Sequence, residues 1–323
     1  MKKICILILV KVLCAGAFAD HLPLGQLGRP FHETNLDLAW TAPTHELPRA
    51  LRVYRVLPSK FSPAVVSNLM ALGSFTAKDK KEPFPHVTSY TTADEKRLLW
   101  INPDRGYIEY RDSDADDMNI AEGVPDEKQT YDLAIQYLPK LGIDRSQLAV
   151  KPNSSELRTY VTYKEALLYK GLGMPAYATN IPMRGVFFIR SLDGVDFFGK
   201  GVRGGCTIEI GHHAKMSQII VGWRNLKRDK LYQVAKPETV VKWIRDGKAF
   251  LQRAPDSHVN WTLARKMNIV KATPFYFGEP YIDRQDWVYP FMTLEASVDA
   301  GERHEVVTLY CPMLEKAPGK PLE

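Results

Sequence analysis

Hydrophobic residues recur along this chain at two spacings, and the points where the spacing changes mark its elements. Leu51, Val53, Arg55 and Leu57 alternate with Arg52, Tyr54 and Val56, which predicts a strand. The period then lengthens. Val65, Leu69 and Leu72 share one helical face, with Ser62 as N-cap, Pro63 in the first turn and Gly73 as the close. Residues 98–101 and 107–110 flank Asn102-Pro103-Asp104-Arg105-Gly106, where Pro, Asp and Gly each favour a turn, so a hairpin is expected. The acidic stretch 112–117 then breaks the pattern and reads as a solvated connector. It lacks the glycine and distal glutamate of a calcium loop.

Asp126 and Gln129 form a capping-box pair for a second helix, whose apolar stripe is Tyr131, Ala134, Ile135 and Leu138 and whose stop is Gly142. Strand-like runs follow at residues 157–163 and 185–190. Asp193-Gly194 turns the chain into 195–198, and Gly204-Gly205 leads into a strand that carries Cys206, Ile208 and Ile210 on one face. Gly211-His212-His213-Ala214 connects this strand to the next, at 216–223. A third helix opens near Pro237 with Val240, Val241, Ile244 and Leu251 on its apolar side, and strand candidates near 267–277, 287–298 and 302–311 end the chain. A helix followed by meandering strands, twice over, predicts an α+β protein of two helix-on-antiparallel-sheet lobes. The boundaries expected are an extended Pro- and Gly-rich arm over 20–46, a first lobe over 47–117 and a second over 118–323.

The first nineteen residues carry an address. Lys2 and Lys3 precede the apolar run 4–10, and Ala17-Phe18-Ala19 has the small-x-small pattern of a signal peptidase site, so residues 1–19 are expected to be a signal peptide removed before Asp20. Lys11 leaves the run too short for an ordinary membrane span, and Leu13 is too bulky for a lipidation site at Cys14. The expected location is secreted or extracytoplasmic.

Composition narrows the classes. An apolar fraction of 45% and a charged fraction of 25% over 323 residues are those of a globular chain with room for a large core. Without the three signal lysines, Lys2, Lys3 and Lys11, the formal charge falls from +6 to +3, too little for a nucleic-acid footprint. Arg224, Lys227, Arg228 and Lys230 read as a solvated basic turn. Two of the four cysteines leave with the signal. Cys206 and Cys311 then lie on matching strand faces of an exported protein, and a disulfide between them is expected, with two buried free thiols as the alternative. Asn153 and Asn260 head glycosylation sequons that matter only in a host that glycosylates.

Residues 189–247 resemble the PepSY-like and YycI-like secreted or membrane-tethered proteins. The matching positions are Arg190, Leu192, Asp193, Gly194, Gly199, Gly201, Trp223, Arg224, Pro237 and Glu238, and residues 51–111 weakly echo the same unit. The resemblance implies cystatin-like helix-on-sheet lobes and inhibition or regulation of partners outside the cytoplasm. Its motifs are structural glycines and core positions rather than reacting groups. This chain departs from the tethered members in its cleavable-looking signal.

Reacting groups are sparse. Cys206 with His213 would need a thiolate beside a base, but the cysteine's face points to a core and the histidines sit in a turn. His212 and His213 match no metal-ligand spacing, and no cofactor is expected. The glycines from Gly194 to Gly205 lack a phosphate-loop pattern and serve as turns and bulges. Aromatic residues crowd the last third, and Trp261, Trp287 and Tyr289 stand out as candidate anchors for a protein, peptide, apolar or glycan ligand. The function expected is therefore a secreted, non-enzymatic binding or inhibitory module. The alternative is a secreted, carbohydrate-active hydrolase with Glu209, Asp283, Asp286 and Glu295 around an aromatic cleft.

Overall fold

The computed structural model describes residues 28–33, 35–117, 120–169, 176–198, 205–252, 259–278, 285–301 and 303–315. The signal peptide expected over 1–19 lies outside them, as do Gly199, Gly201, Gly204 and Asp283. In chain order, the first part has strands β1 (Gly28–Pro30), β2 (Asp37–Trp40) and β3 (Ala50–Leu57), helix α1 (Pro63–Gly73), strands β4 (Lys80–Phe84), β5 (Val87–Thr91), β6 (Arg97–Asn102) and β7 (Tyr107–Asp112), and helix α2 (Glu127–Tyr137). The middle has β8 (Thr159–Tyr169), β9 (Ala176–Leu192), β10 (Val195–Phe198), β11 (Gly205–Ile210), β12 (Met216–Gly222) and β13 (Asn225–Gln233). Helix α3 (Pro237–Arg245) and strands β14 (Phe250–Gln252), β15 (Ala264–Phe277), β16 (Trp287–Val288), β17 (Pro290–Ala300) and β18 (Arg303–Pro312) complete it.

The fold corrects the expected α+β class. Half of the described residues are in strands and only three α-helices occur among them, so the protein is mostly β rather than two helix-on-sheet lobes. The physical reason is strand length. β9 runs for 17 residues and β15 for 14, far more sheet than helices of 9 to 11 residues can cover. None of the described helices is long and apolar enough to cross a membrane.

The chain divides into two compact units. A central unit comprises residues 55–227 and 278–286, and a terminal unit comprises the chain up to 54, 228–277 and from 287 onward. In the terminal unit the ladder runs β1-β14-β18-β17-β15, with β2 added parallel to β15. Helix α3 packs on β2 and β18, and Met267, Ile269, Leu294, Ala296, Leu309 and Cys311 are fully buried there.

In the central unit the ladder is antiparallel and runs β8-β9-β11-β12-β7-β6-β5-β4. Local chemistry sets its helices. Ser62 Oγ accepts from Val65 N at 3.3 Å, and Asp126 and Gln129 exchange both bonds of a capping box. The close of α1 is not Gly73 but Ser74, which takes the left-handed conformation at φ 54°. Gly73 is instead buried against the Phe75 ring, whose Cε2 would lie 2.1 Å from an added Cβ. Both helices pack on one face of the sheet, α1 on β6 and β7, α2 on β9 and β11. That face is the core: Leu99, Ile108, Tyr110, Ile219, Cys206, Ile208, Val186 and Phe188 are each at most 1% exposed. The predicted hairpin is present, with Asn102 Oδ1 accepting from Arg105 N and Gly106 at φ 60° closing the turn.

Candidate functional site

Because strand side chains alternate, the residues between those core positions form the opposite face of the central sheet. The register aligns them in two rows. Trp100, Glu109, Ile220, Thr207, Phe187 and Tyr160 pair in succession across β6, β7, β12, β11, β9 and β8. Leu98, Arg111, Gln218, Glu209, Gly185 and Thr162 pair across the same strands two residues away. The first row is largely aromatic and apolar, the second largely polar. Phe84 packs beside Trp100 with centroids 6.2 Å apart, and the rings of Tyr160 and Phe187 stack at 6.4 Å.

The polar groups form one continuous network. Tyr107 OH donates to Glu109 Oε2 at 2.6 Å, and Glu109 Oε1 is ion-paired with Arg111 Nε. The Gln218 amide accepts from Arg111 Nε at 2.9 Å and donates to Glu209 Oε2 at 3.0 Å. Lys164 Nζ, from β8, lies 3.7 Å from Glu209 and 3.4 Å from Asp116. Burial is the main cause that pushes the Glu209 carboxyl above its usual range, with Lys164 as the largest opposing influence. Asp196 behaves alike, since its burial outweighs the Arg158 guanidinium.

A raised carboxyl pKa makes the folded state the better proton binder, so its contribution to stability falls as pH rises from the unfolded carboxylate range through the folded pKa. Glu209→Gln is therefore expected to unfold at a urea concentration equal to or above that of the unmutated protein at pH 8, with the difference shrinking toward pH 4. A variant clearly less stable at pH 8 would show that the Lys164 pair outweighs burial.

Other sequence candidates are placed elsewhere. Trp261 is half-buried, edge-on to Phe31 with centroids 5.3 Å apart. Trp287 and Tyr289 are half-buried too, and the Tyr289 carbonyl accepts from Phe277 N at 3.5 Å. Trp261 precedes the start of β15 and the other two flank its end, so a strand of 14 residues, about 40 Å long, separates them. They do not line one groove. Of the dispersed acids, Glu295 pairs with Lys271 at 2.6 Å in the terminal unit. Asp286 is exposed in the central unit, where its carbonyl accepts from Val56 N.

The expected Cys206–Cys311 bridge is not formed, and both residues are free thiols with no exposed surface. Each is enclosed by the core of its own unit, Cys206 in the central and Cys311 in the terminal one, and burial pushes both thiols far above their usual range. Iodoacetamide is expected to leave both intact in the native state and to label both once the chain is unfolded without reductant. A blocked pair under those conditions would restore the bridge.

The basic turn also needs correction, because Arg224 is buried and hydrogen-bonded to the Gln285 side chain. Three positions of the family-like segment meet here. The Arg190 guanidinium lies 4.7 Å from the Trp223 ring centroid and donates from Nη1 to the Arg224 carbonyl at 2.8 Å. His212 is buried and bonded to the Asp114 carbonyl, while His213 sits in a turn at φ 53°, so neither stands beside Cys206 as a base. Among the described residues, no group of three or more His, Cys, Asp or Glu is placed to hold a metal.

Glu109, Arg111, Gln218, Lys164, Trp100, Phe187 and Tyr160 were not singled out by sequence. The available signal was the alternation of Glu109 and Arg111 with Ile108 and Tyr110. It assigns a face but no neighbouring strand.

No family model matches this chain, and no curated protein does. Among solved structures, it is similar to the crystal structure of an uncharacterized protein from Eubacterium rectale ATCC 33656 at 1.45 Å resolution. The two share 8% sequence identity over 89% of each chain, with a TM-score of 0.45.

Proposed function

We propose that this chain is an exported, non-enzymatic binding module that takes up a polypeptide on the open face of the central sheet. The observation that carries the reading is the pair of in-register rows, one aromatic and one polar, held on a two-sided antiparallel sheet whose other face is the core. Preset rings supply contact area at low entropic cost. The polar row presents both signs of charge, which suits the mixed side chains of a polypeptide better than a polyanion. The signal-like first nineteen residues and the PepSY-like and YycI-like segment support the same reading, that of a partner-regulating protein outside the cytoplasm.

One observation favours the second reading, hydrolysis. Glu209, with its raised carboxyl, is linked through Gln218 and Arg111 to a second carboxylate, Glu109, and glycoside hydrolases use a pair of carboxyl groups. Against it, both carboxylates are already engaged by cations, hydroxyl or amide. The test is titration with carboxymethylated α-lactalbumin, a permanently unfolded polypeptide, beside a panel of glycoside and peptide substrates. Binding is expected, weakened by about 1–2 kcal/mol in Trp100→Ala or Phe187→Ala with the fold intact. No turnover is expected. Turnover abolished by Glu209→Gln in a folded protein would replace binding with catalysis.

A further inference from the structure

We propose that the outer edge of β8 receives an extended, uncharged polypeptide segment by strand addition, which names the binding mode of the module and rests on that reading. The central sheet has two edges, and they are built differently. At β4, Lys80, Lys81, Glu82 and Pro83 are all exposed and the register breaks between Lys81 and Phe84. Charge, proline and irregularity are what guard an edge against further pairing. Over residues 159–163 β8 carries no such guard; its charges, Lys164 and Glu165, and its register shifts at Lys164/Ala166 and Leu168/Tyr169 come only later in the strand. It contains neither proline nor glycine, and Tyr160, Val161 and Tyr163 are 57%, 37% and 54% exposed. Its one ladder partner among the described residues is β9. Successive side chains point to opposite faces, so large apolar groups flank the unpaired backbone row above and below.

The length of the ribbon adds to this. β9 pairs with β11 only from Arg184 to Ile189, whereas its pairing with β8 continues back to Ala176. From Ala176 to Met183 the hairpin therefore runs past β11 as two strands, roughly 25 Å of ladder. Two strands alone are marginal in water, and a third stabilises them. The occupant follows from the groups on offer. A row of backbone donors and acceptors is satisfied by another extended backbone, and exposed Tyr and Val contact its alternate side chains. Lys164 already faces Asp116 and Glu209, so the edge selects no net charge.

The experiment uses a fluorescein-labelled ten-residue Thr-Val repeat peptide and the same peptide N-methylated at every residue, which keeps the side chains and removes the backbone donors. Fluorescence anisotropy with the chain from Asp20 onward is expected to show binding of the first peptide and at least tenfold weaker binding of the second. The double variant Val161→Lys and Tyr163→Lys, checked by circular dichroism, is expected to lose at least tenfold. Equal binding of the two peptides, or no binding of either, overturns the proposal, and so does concentration-dependent dimerisation abolished by the double variant, which would make a second copy the occupant. If carboxymethylated α-lactalbumin binding still depends on Trp100 while the peptides behave alike, strand addition fails alone. If the unfolded chain does not bind at all, the functional reading itself fails.

Discussion

Replacing Phe188 by Ala is expected to destabilise the central unit by about 3–5 kcal/mol, a large part of the stability of a typical domain. The side chain has no exposed surface and sits on β9, whose backbone pairs on one side with β8 and on the other with β11. Its ring meets Tyr131 of α2 with centroids 6.3 Å apart, so truncation opens a cavity where helix and sheet join. β9 itself is held by a ladder on each side, so its backbone cannot collapse to fill the cavity. Phe187, one residue earlier, points the other way and is only half-buried. The same substitution there is expected to cost less than about 1.5 kcal/mol. Urea unfolding followed by far-UV circular dichroism measures both. Equal costs would mean that the core and open faces of this sheet are wrongly assigned.

The second large effect is expected at Gly106, where Ala should cost about 2–4 kcal/mol. Gly106 closes the β6–β7 turn at φ +60°, which is unfavourable for a side chain by about 1–2 kcal/mol. A Cβ there would also lie 2.6 Å from Arg224 Cα and 2.7 Å from the Trp223 carbonyl oxygen, a backbone clash that adds the cost of overpacking, about 1–3 kcal/mol. The close approach is itself bonded, since Trp223 N donates to the Gly106 carbonyl at 2.7 Å. Gly194 separates the two causes. It has φ +80° with nothing within 4 Å of the added Cβ, so Ala there carries the conformational cost alone. Gly194→Ala is expected to be clearly milder in the same unfolding measurement. Equal losses at the two positions would remove the packing of the β6–β7 turn against residues 223–224 from the account.

Much of the local structure was legible because it is written in local periods. The three described helices begin where Ser62, Asp126 and Pro237 placed them, and the hairpin at Asn102–Gly106 follows from its turn chemistry; Leu251, expected on the third helix, lies instead in β14, because that helix ends at Arg245. The sheet was not legible to the same degree. Residues 164–184 show no clean alternation, with Lys164, Glu165, Pro182 and Arg184 among apolar groups, so β8 and β9 were expected as 157–163 and 185–190 rather than at their full lengths. Ladder pairing overrode the missing period, and the result is a mostly β chain. β1 and β2, of three and four residues, are too short to show any period.

The candidate face was hidden for a related reason. Glu109 and Arg111 read as ordinary solvent positions of a hairpin, and only the pairing of β7 with β12 and of β12 with β11 brings Gln218 and Glu209 to them. Cys206 and Cys311 were correctly placed on apolar faces, but a matching face does not show which core each belongs to. Arg224 reads as solvated from its charge alone. The ring beneath Arg190 and the Gln285 side chain that reaches Arg224 come from strands and loops remote in sequence.

Hydrogen–deuterium exchange of the chain from Asp20 onward, with and without saturating carboxymethylated α-lactalbumin, tests the central claim most directly. Slowed exchange is predicted in the peptides that carry the open face and its edge, residues 97–112, 159–164, 184–190 and 205–222, with the terminal unit unchanged. Protection confined to residues 250–315, or none anywhere despite binding, would contradict a polypeptide site on the central sheet.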